Sequence, residues 1–252
     1  MPATPEPALL PGERAARSPS LATRLRSLPG AARDLAPARE DIAHPVLYYR
    51  GARLHRELLL GGYTMLSSRR GRSLYRLAAE VVDRRVRGAL VDCGVYNGGS
   101  TVLLGAGAPG REVWAFDSFE GLPEPTAADG AAAEGWTGHC HGSEHKLREA
   151  FERYADPSRL RVAKGWFEDT FPTAVREIPE VALLHCDSDW YESVLLTLRT
   201  FHSRVASGGY VVIDDYGHWA GAKRAVDEFG ESSVEGVPLV HGPDGQVHWR
   251  VP

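Results

Sequence analysis

Ala89-Leu90-Val91-Asp92-Cys93-Gly94-Val95-Tyr96-Asn97-Gly98-Gly99-Ser100 is the stretch that decides the fold. An apolar, β-branched run ends in a glycine-rich turn and then a serine opening a helical pattern, the order of a buried parallel strand feeding a crossover helix. Reading outward, further runs of this kind lie at Glu112 to Asp117, Leu160 to Gly165, Val181 to Asp187 and Gly209 to Asp215. Helical patterns fill the gaps, at about 99–106, 144–155, 170–178, 191–205 and 219–229. Upstream, Ser73 to Val86 sets Leu74, Leu77, Ala78, Val81 and Val82 at helical spacing and leads into the domain. Downstream, the runs 237–240 and 246–251 flank Gly242-Pro243-Asp244-Gly245, which predicts a terminal antiparallel hairpin. The expected fold is therefore α/β, a doubly wound sheet of five parallel strands plus a C-terminal hairpin. That differs from the six-parallel-strand layout of a nicotinamide-binding domain.

The chain as a whole sets bounds on partners. Its 252 residues are 43% hydrophobic and 25% charged, enough for one sizeable core. A net charge of −4 offers no broad positive field, so nucleic acid is not an expected partner. Cys93, Cys140 and Cys186 show no paired spacing, which fits a reducing cytoplasm. No stretch approaches the roughly 18 apolar residues of a membrane span, and no secretory leader is recognised at the N-terminus. The expected organisation is a flexible, proline-rich arm over 1–45, a helical or lid segment over 46–87, and a catalytic domain over 88–252.

In an open parallel sheet ligands bind beyond the carboxyl ends of the strands, so the residues ending each run carry the functional reading. The glycines of 94–99 let the backbone approach a ligand. Asp117 follows Gly94 by 23 residues, at the position where an acid can accept hydrogen bonds from ribose hydroxyls. A helix cap or loop aspartate would look the same. The fourth run ends in Asp187-Ser188-Asp189 and the fifth in Asp214-Asp215, 27 residues after Asp187. Four carboxylates at neighbouring strand ends repel one another unless a cation sits among them, and hard divalent ions take oxygen ligands. Extended backbone would aim Asp187 and Asp189 to one side, one toward metal and the other toward substrate.

With these residues in view the chain resembles the macrocin O-methyltransferase family, metal-dependent enzymes that methylate sugars of bacterial natural products. Matching segments run from Tyr63-Thr64-Met65 through Gly94–Ser100, Phe116-Asp117-Ser118-Phe119-Glu120-Gly121-Leu122-Pro123, Gly165-Trp166-Phe167-Glu168-Asp169-Thr170-Phe171-Pro172 and Asp187-Ser188-Asp189-Trp190-Tyr191-Glu192-Ser193. They end at Gly208-Gly209-Tyr210-Val211-Val212-Ile213-Asp214-Asp215-Tyr216. The resemblance implies a class I, Rossmann-like methyltransferase that uses S-adenosylmethionine and Mg²⁺ or another divalent cation. It implies metal ligands Asp187, Asp214 and Asp215, with Asp189 as general base. The donor would be held by Met65, Gly94, Val95, Tyr96, Gly98 and Ser100, by Asp117 and Ser118, by Gly165, Trp166 and Phe167 near the adenine, and at Asp187. A small-molecule glycoside acceptor, a homo-oligomer (dimer or higher) and a mobile segment over the acceptor are implied too. The chain departs from the family pattern at Asp92, where a glutamate is expected, at Asn97, where a basic residue is more usual, and at His185, where an arginine is usual.

Other readings compete. A catechol-type O-methyltransferase would share fold, donor and metal. A metal-dependent glycosyltransferase could use Asp187-Ser188-Asp189 but leaves Gly94–Ser100, Asp117 and Asp214-Asp215 without roles. A non-catalytic binding protein on this fold would not need the acidic clusters. His139-Cys140-His141 with His145 could be a zinc site, but reads better as a polar covering loop whose histidines, with Trp136, line the acceptor pocket. Arg69-Arg70-Gly71-Arg72 reads as a solvated helix start, with a partner-binding surface as the alternative.

Overall fold

Strand and helix alternate because apolar residues at period two and period 3.6 alternate along the chain. A computed structural model describes residues 43–233 and 238–252. The expected arm therefore lies almost wholly outside the described residues. Two helices, α1 (Pro45–Gly61) and α2 (Ser68–Asp83), precede the sheet. There follow β1 (Ala89–Cys93), α3 (Gly99–Gly107), β2 (Val113–Asp117), α4 (Glu144–Tyr154), β3 (Leu160–Lys164), α5 (Phe167–Glu177) and β4 (Val181–Cys186). The chain continues as α6 (Tyr191–Phe201), β5 (Val205–Ile213), α7 (Ala220–Ser233), β6 (Val240–His241) and β7 (Val247–Arg250).

The sheet order is β3-β2-β1-β4-β5-β7-β6, with β1 to β5 parallel and β7 antiparallel to both β5 and β6. This is the expected five-stranded parallel sheet with its terminal hairpin, a Rossmann-like fold. Strand order reverses at β1, so a crevice opens beyond the carboxyl ends of β1 and β4. No described helix is long and apolar enough to cross a membrane.

Each strand splits its side chains between two cores. Val91, Phe116, Leu184, Val211 and Ile213 face a cluster with α5, α6 and α7, whereas Leu90, Leu183, Tyr210 and Val212 face one with α1, α2 and α3. Asp92 and His185 are in register on β1 and β4 and both fully buried. The segment 46–87 is thus part of the main core: α2 buries Leu74, Leu77, Ala78 and Val81 completely or nearly so.

Several boundaries move. α2 begins at Ser68, not Ser73, because Ser67 caps it by accepting from the Arg70 amide at 3.2 Å. α5 begins at Phe167 rather than 170. α6 ends at Phe201, short of the expected 205, because Val205 already pairs with Val181 as the start of β5. The first hairpin strand reduces to Val240–His241, and residue 237 lies outside the described residues.

Candidate active site

Gly94 closes β1 at the crevice. It has φ 85°, and a Cβ there would stand 1.8 Å from the Asp187 carbonyl oxygen. Only glycine lets the ends of β1 and β4 approach this closely, an approach held by the Asp187 amide donating to Cys93 O at 2.8 Å. The turn that follows is fixed by Asp117, whose Oδ2 accepts from the Val95 and Tyr96 amides at 2.8 and 2.9 Å while Oδ1 accepts from Phe119 at 2.7 Å. Burial pushes the Asp117 pKa above its ordinary value despite those three amides.

Beyond this turn a cavity of about 510 Å³ gathers most of the expected site residues. Met65, Gly94, Val95, Tyr96, Ser100, Asp117, Ser118, Gly165, Trp166, Phe167, Asp187, Asp189, Asp214 and Asp215 all line it. Gly98 does not. It caps α3 at φ 90°, and a Cβ there would meet Leu147 Cα at 2.8 Å, so its glycine serves the packing of the turn against α4. Ser100, a helix start by its sequence pattern, lies inside α3, and its hydroxyl turns inward to Asp92 Oδ2 at 2.9 Å.

The three departures from the family pattern acquire local roles. Asp92 accepts from Ser100, Thr101 (2.7 Å) and His185 Nδ1 (2.7 Å), fixing the first turn of α3 to the sheet. His185 Nε2 lies 3.9 Å from Asp214 Oδ1, an ion-pair distance. Burial alone would lower the imidazole's pKa, but the Asp214 and Asp92 carboxylates on either side carry it up to about 9. A cationic His185 can therefore back Asp214. Asn97 Nδ2 donates to Gly62 O at 3.0 Å, tying the turn to the end of α1.

Asp187, Asp214 and Asp215 bring one ligand oxygen each to within 4.8 Å of one another, the only such group of His, Cys, Asp and Glu among the described residues. The His139-Cys140-His141 zinc alternative therefore has no assembled ligand set there. Burial and the charges of Asp214, Asp215 and Asp189 push Asp187 well above the usual carboxylate range, and burial with the Asp214 charge raises Asp215. Asp214 moves the other way: burial would raise it, but His185 and Arg70 beside it outweigh that and lower it. Asp215 Oδ2 and His185 Nε2 are buried without a hydrogen-bond partner. An oxygen-only set with an unpaired buried carboxylate oxygen fits a hard divalent ion.

Asp189 is reached differently than its spacing implies. Its backbone has φ 59°, so the strand has ended and simple alternation no longer relates it to Asp187. Trp219 holds it, with Nε1 donating to Asp189 Oδ1 at 2.7 Å. Burial, then the Asp215 charge, push Asp189 well above its ordinary value, against the Trp219 hydrogen bond. The Trp219 ring packs between Trp190 (4.9 Å) and Trp136 (5.5 Å), and Trp136 stands beside His139 at 5.1 Å. Trp136 and Cys140 of this loop line the cavity, whereas His139, His141 and His145, expected beside Trp136 in the lining, do not.

Two side chains, one supporting the site and one lining it, carry no local sequence signal for it. Asp129, 1% exposed, pins the covering loop: its Oδ1 accepts from the Tyr191 amide at 2.7 Å at the start of α6 and its Oδ2 from the Thr126 amide at 2.7 Å. Arg70 reaches the acidic cluster, donating from NH1 to Asp214 Oδ2 at 2.6 Å. The solvated-helix reading of Arg69 to Arg72 fails there and at Arg72, which is 2% exposed. Close packing against α1 turns these arginines inward; a Cβ on Gly71 would stand 2.4 Å from His55 Cδ2.

Comparison with known proteins gives a consistent result. The family model described as macrocin-O-methyltransferase (TylF) matches residues 54–250. A demethyldecarbamoylnovobiocin O-methyltransferase of Streptomyces niveus is 32% identical over 226 residues, covering 84% of this chain and 85% of that protein. A mycinamicin III 3''-O-methyltransferase of Micromonospora griseorubida is 28% identical, covering 75% and 78%. Among solved structures, the O-methyltransferase NovP superposes with a TM-score of 0.68 at 32% identity, over 75% of this chain and 82% of that one.

Proposed function

The chain belongs to the macrocin-O-methyltransferase (TylF) family and is an O-methyltransferase, and from that premise we propose that it methylates a sugar hydroxyl of a glycosylated natural product, using S-adenosylmethionine and a divalent cation such as Mg²⁺. The observation that carries the reading is a single cavity in which the Gly94 turn and Asp117 stand beside Asp187, Asp189, Asp214 and Asp215. The names of its relatives support the acceptor class. One is a methyltransferase of a mycinamicin 3''-oxygen, and another, from Streptomyces olivaceus, is named for the 4'-oxygen of a dimethoxyrhamnosyl tetracenomycin.

S-adenosylmethionine supplies a methyl group on a positively charged sulfur. Asp117 lies at the ribose position, with the Gly94–Tyr96 turn, Met65 and Trp166-Phe167 as the rest of the donor seat. Asp187, Asp214 and Asp215 would hold the cation, whose chemistry when bound is to favour negative charge on a nearby oxygen. A sugar hydroxyl is a poor nucleophile until its proton is removed, and Asp189 is the base assigned to that proton. Its burial beside Asp215 makes it more basic than an exposed aspartate. With Oδ1 fixed by Trp219, Oδ2 is left for the acceptor. Orientation of this carboxylate is part of the rate, because proton removal has to coincide with in-line attack on the methyl carbon.

Trp219→Phe tests that orientation. It keeps a ring between Trp190 and Trp136 but loses the hydrogen bond to a carboxylate, which is worth about 1.5–3 kcal/mol. Turnover is expected to fall by about tenfold or more with donor affinity unchanged. Unaltered kcat would show that Trp219 does not position the base.

The class of reaction is tested by calorimetric titration of S-adenosylmethionine and S-adenosylhomocysteine into the full chain, with and without Mg²⁺, with a UDP-sugar as control. Binding of the methyl-donor pair is the expected result. A UDP-sugar response without donor binding would overturn the proposal in favour of glycosyl transfer.

A further inference from the structure

Arg70 is the only lysine or arginine among the described residues lining the cavity. It lies in the first turn of α2 and its side chain is 14% exposed. NH1 donates to Asp214 Oδ2 at 2.6 Å and lies 3.7 Å from Asp215 Oδ1, and NH2 donates to the Asp244 carbonyl oxygen in the hairpin turn. The other cation-forming groups around the cluster are histidines. His185 lies under Asp214, and His218 lines the cavity.

A guanidinium in this position does for the carboxylates what a metal would do. It supplies positive charge where the carboxylates otherwise repel one another, and it does so through oxygens of two of the three grouped aspartates. A Mg²⁺ ion needs ligand oxygens at about 2.0–2.1 Å in near-octahedral geometry. Asp214 Oδ2 cannot give the same lone pairs to NH1 and to an ion, and two cations in contact across one carboxylate repel each other. Asp214 Oδ1 accepts from Gln246 Nε2 at 2.7 Å, so each oxygen of Asp214 already accepts one hydrogen bond. The unpartnered Asp215 Oδ2 marks the side of the cluster that Arg70 leaves unsatisfied.

We propose that Arg70 is a resident counter-cation of the carboxylate cluster, which holds Asp214 and Asp215 in place before a divalent ion arrives and competes with that ion for them. The proposal rests on the reading of the cluster as a metal site. Its purpose is physical: without a cation of its own, a buried group of like charges would protonate or spread apart. Arg70 also has a place to retreat to. Ser67 Oγ donates to Asp244 Oδ2 at 2.5 Å and Arg69 lies 3.7 Å from Asp244 Oδ1, so a second carboxylate stands at the same helix end. Exchange of Arg70 for an ion thereby links metal occupancy to the tie between α2 and the hairpin, next to Thr64, Met65 and Leu66 of the cavity wall.

The test is calorimetric titration of Mn²⁺ and Mg²⁺ into the full chain, without donor or acceptor, for the wild type, Arg70→Gln and Arg70→Lys. Thermal melting is recorded alongside in EDTA and in excess Mn²⁺. Arg70→Gln should bind either ion at least about tenfold more tightly, since a unit charge at this range has been removed. Arg70→Lys, which keeps the charge without the fork, should fall between. In EDTA Arg70→Gln should melt below the wild type, and Mn²⁺ should raise its Tm by more. Equal or weaker ion affinity in Arg70→Gln, or an equal metal-induced rise in Tm, overturns the proposal while leaving the metal site intact. If neither ion binds the wild type or either variant, the metal reading itself falls and takes the proposal with it, a result separable by donor binding measured on the same samples. Should Arg70→Gln fail to fold in EDTA, the Arg70→Lys comparison decides by the same criteria.

Discussion

Asp189→Asn is expected to lower kcat by about 10²–10⁴-fold, the usual contribution of a positioned general base, while leaving affinity for the methyl donor and the divalent ion close to wild type. The sign follows from the geometry. Asp189 is outside the Asp187, Asp214 and Asp215 group that brings its oxygens together, and Trp219 Nε1 can still donate to an asparagine oxygen. The substitution also removes a buried, strongly raised carboxylate, so the fold should not suffer. Single-turnover rates with donor and ion both saturating make the measurement. Full turnover by this variant would remove Asp189 from the role of base and leave the acceptor proton to solvent or to the cation's own ligands.

The second large effect is expected at Asp215→Asn. Even residues that only support metal ligands typically cost 10–100-fold in affinity, so loss of a ligand carboxylate should weaken divalent-ion binding by more than about 100-fold. Activity should fall with it. Stability of the metal-free protein should move in the opposite sense. The Asp215 carboxylate is buried among like charges and its pKa is raised, so its ionised form destabilises the fold, and removing the charge should leave Tm in EDTA unchanged or higher. Calorimetric ion titration together with melting in EDTA reads both. A variant that binds Mn²⁺ as tightly as wild type would exclude Asp215 from the ligand set; one that merely unfolds would contradict the electrostatic account of the cluster.

Both predictions concern residues that are legible in the amino-acid order. Gly94, Asp117, Asp187, Asp214 and Asp215 are placed by a local rule: a parallel strand ends, and whatever ends it lies at the crevice. Val212 is in register with His185, and the Asp214 amide, donating to Cys186 O at 3.0 Å, carries the pairing of β5 with β4 one residue past Ile213. Simple alternation fails two residues past Asp187, where Asp189 at φ 59° has left the extended conformation. The local reading fails at Gly98 too, where glycine answers to the packing of α4 and not to a ligand.

The parallel sheet with its terminal hairpin, the crevice, and the strand-end acids that meet there follow from residue order alone, because they depend on periodicity and chain direction within single elements. Long-range packing selects the distant side chains that complete the site. Arg70 meets Asp214 across 144 residues, the Tyr191 amide meets Asp129 across 62, and Trp219 meets Asp189 across 30. A cluster of arginines at a helix start has the same local pattern whether it faces water or carboxylates. The direction in which it points is set by the close packing of Gly71 on His55 and by the cap at Ser67, contacts that exist only once α1 and α2 have come together on the sheet.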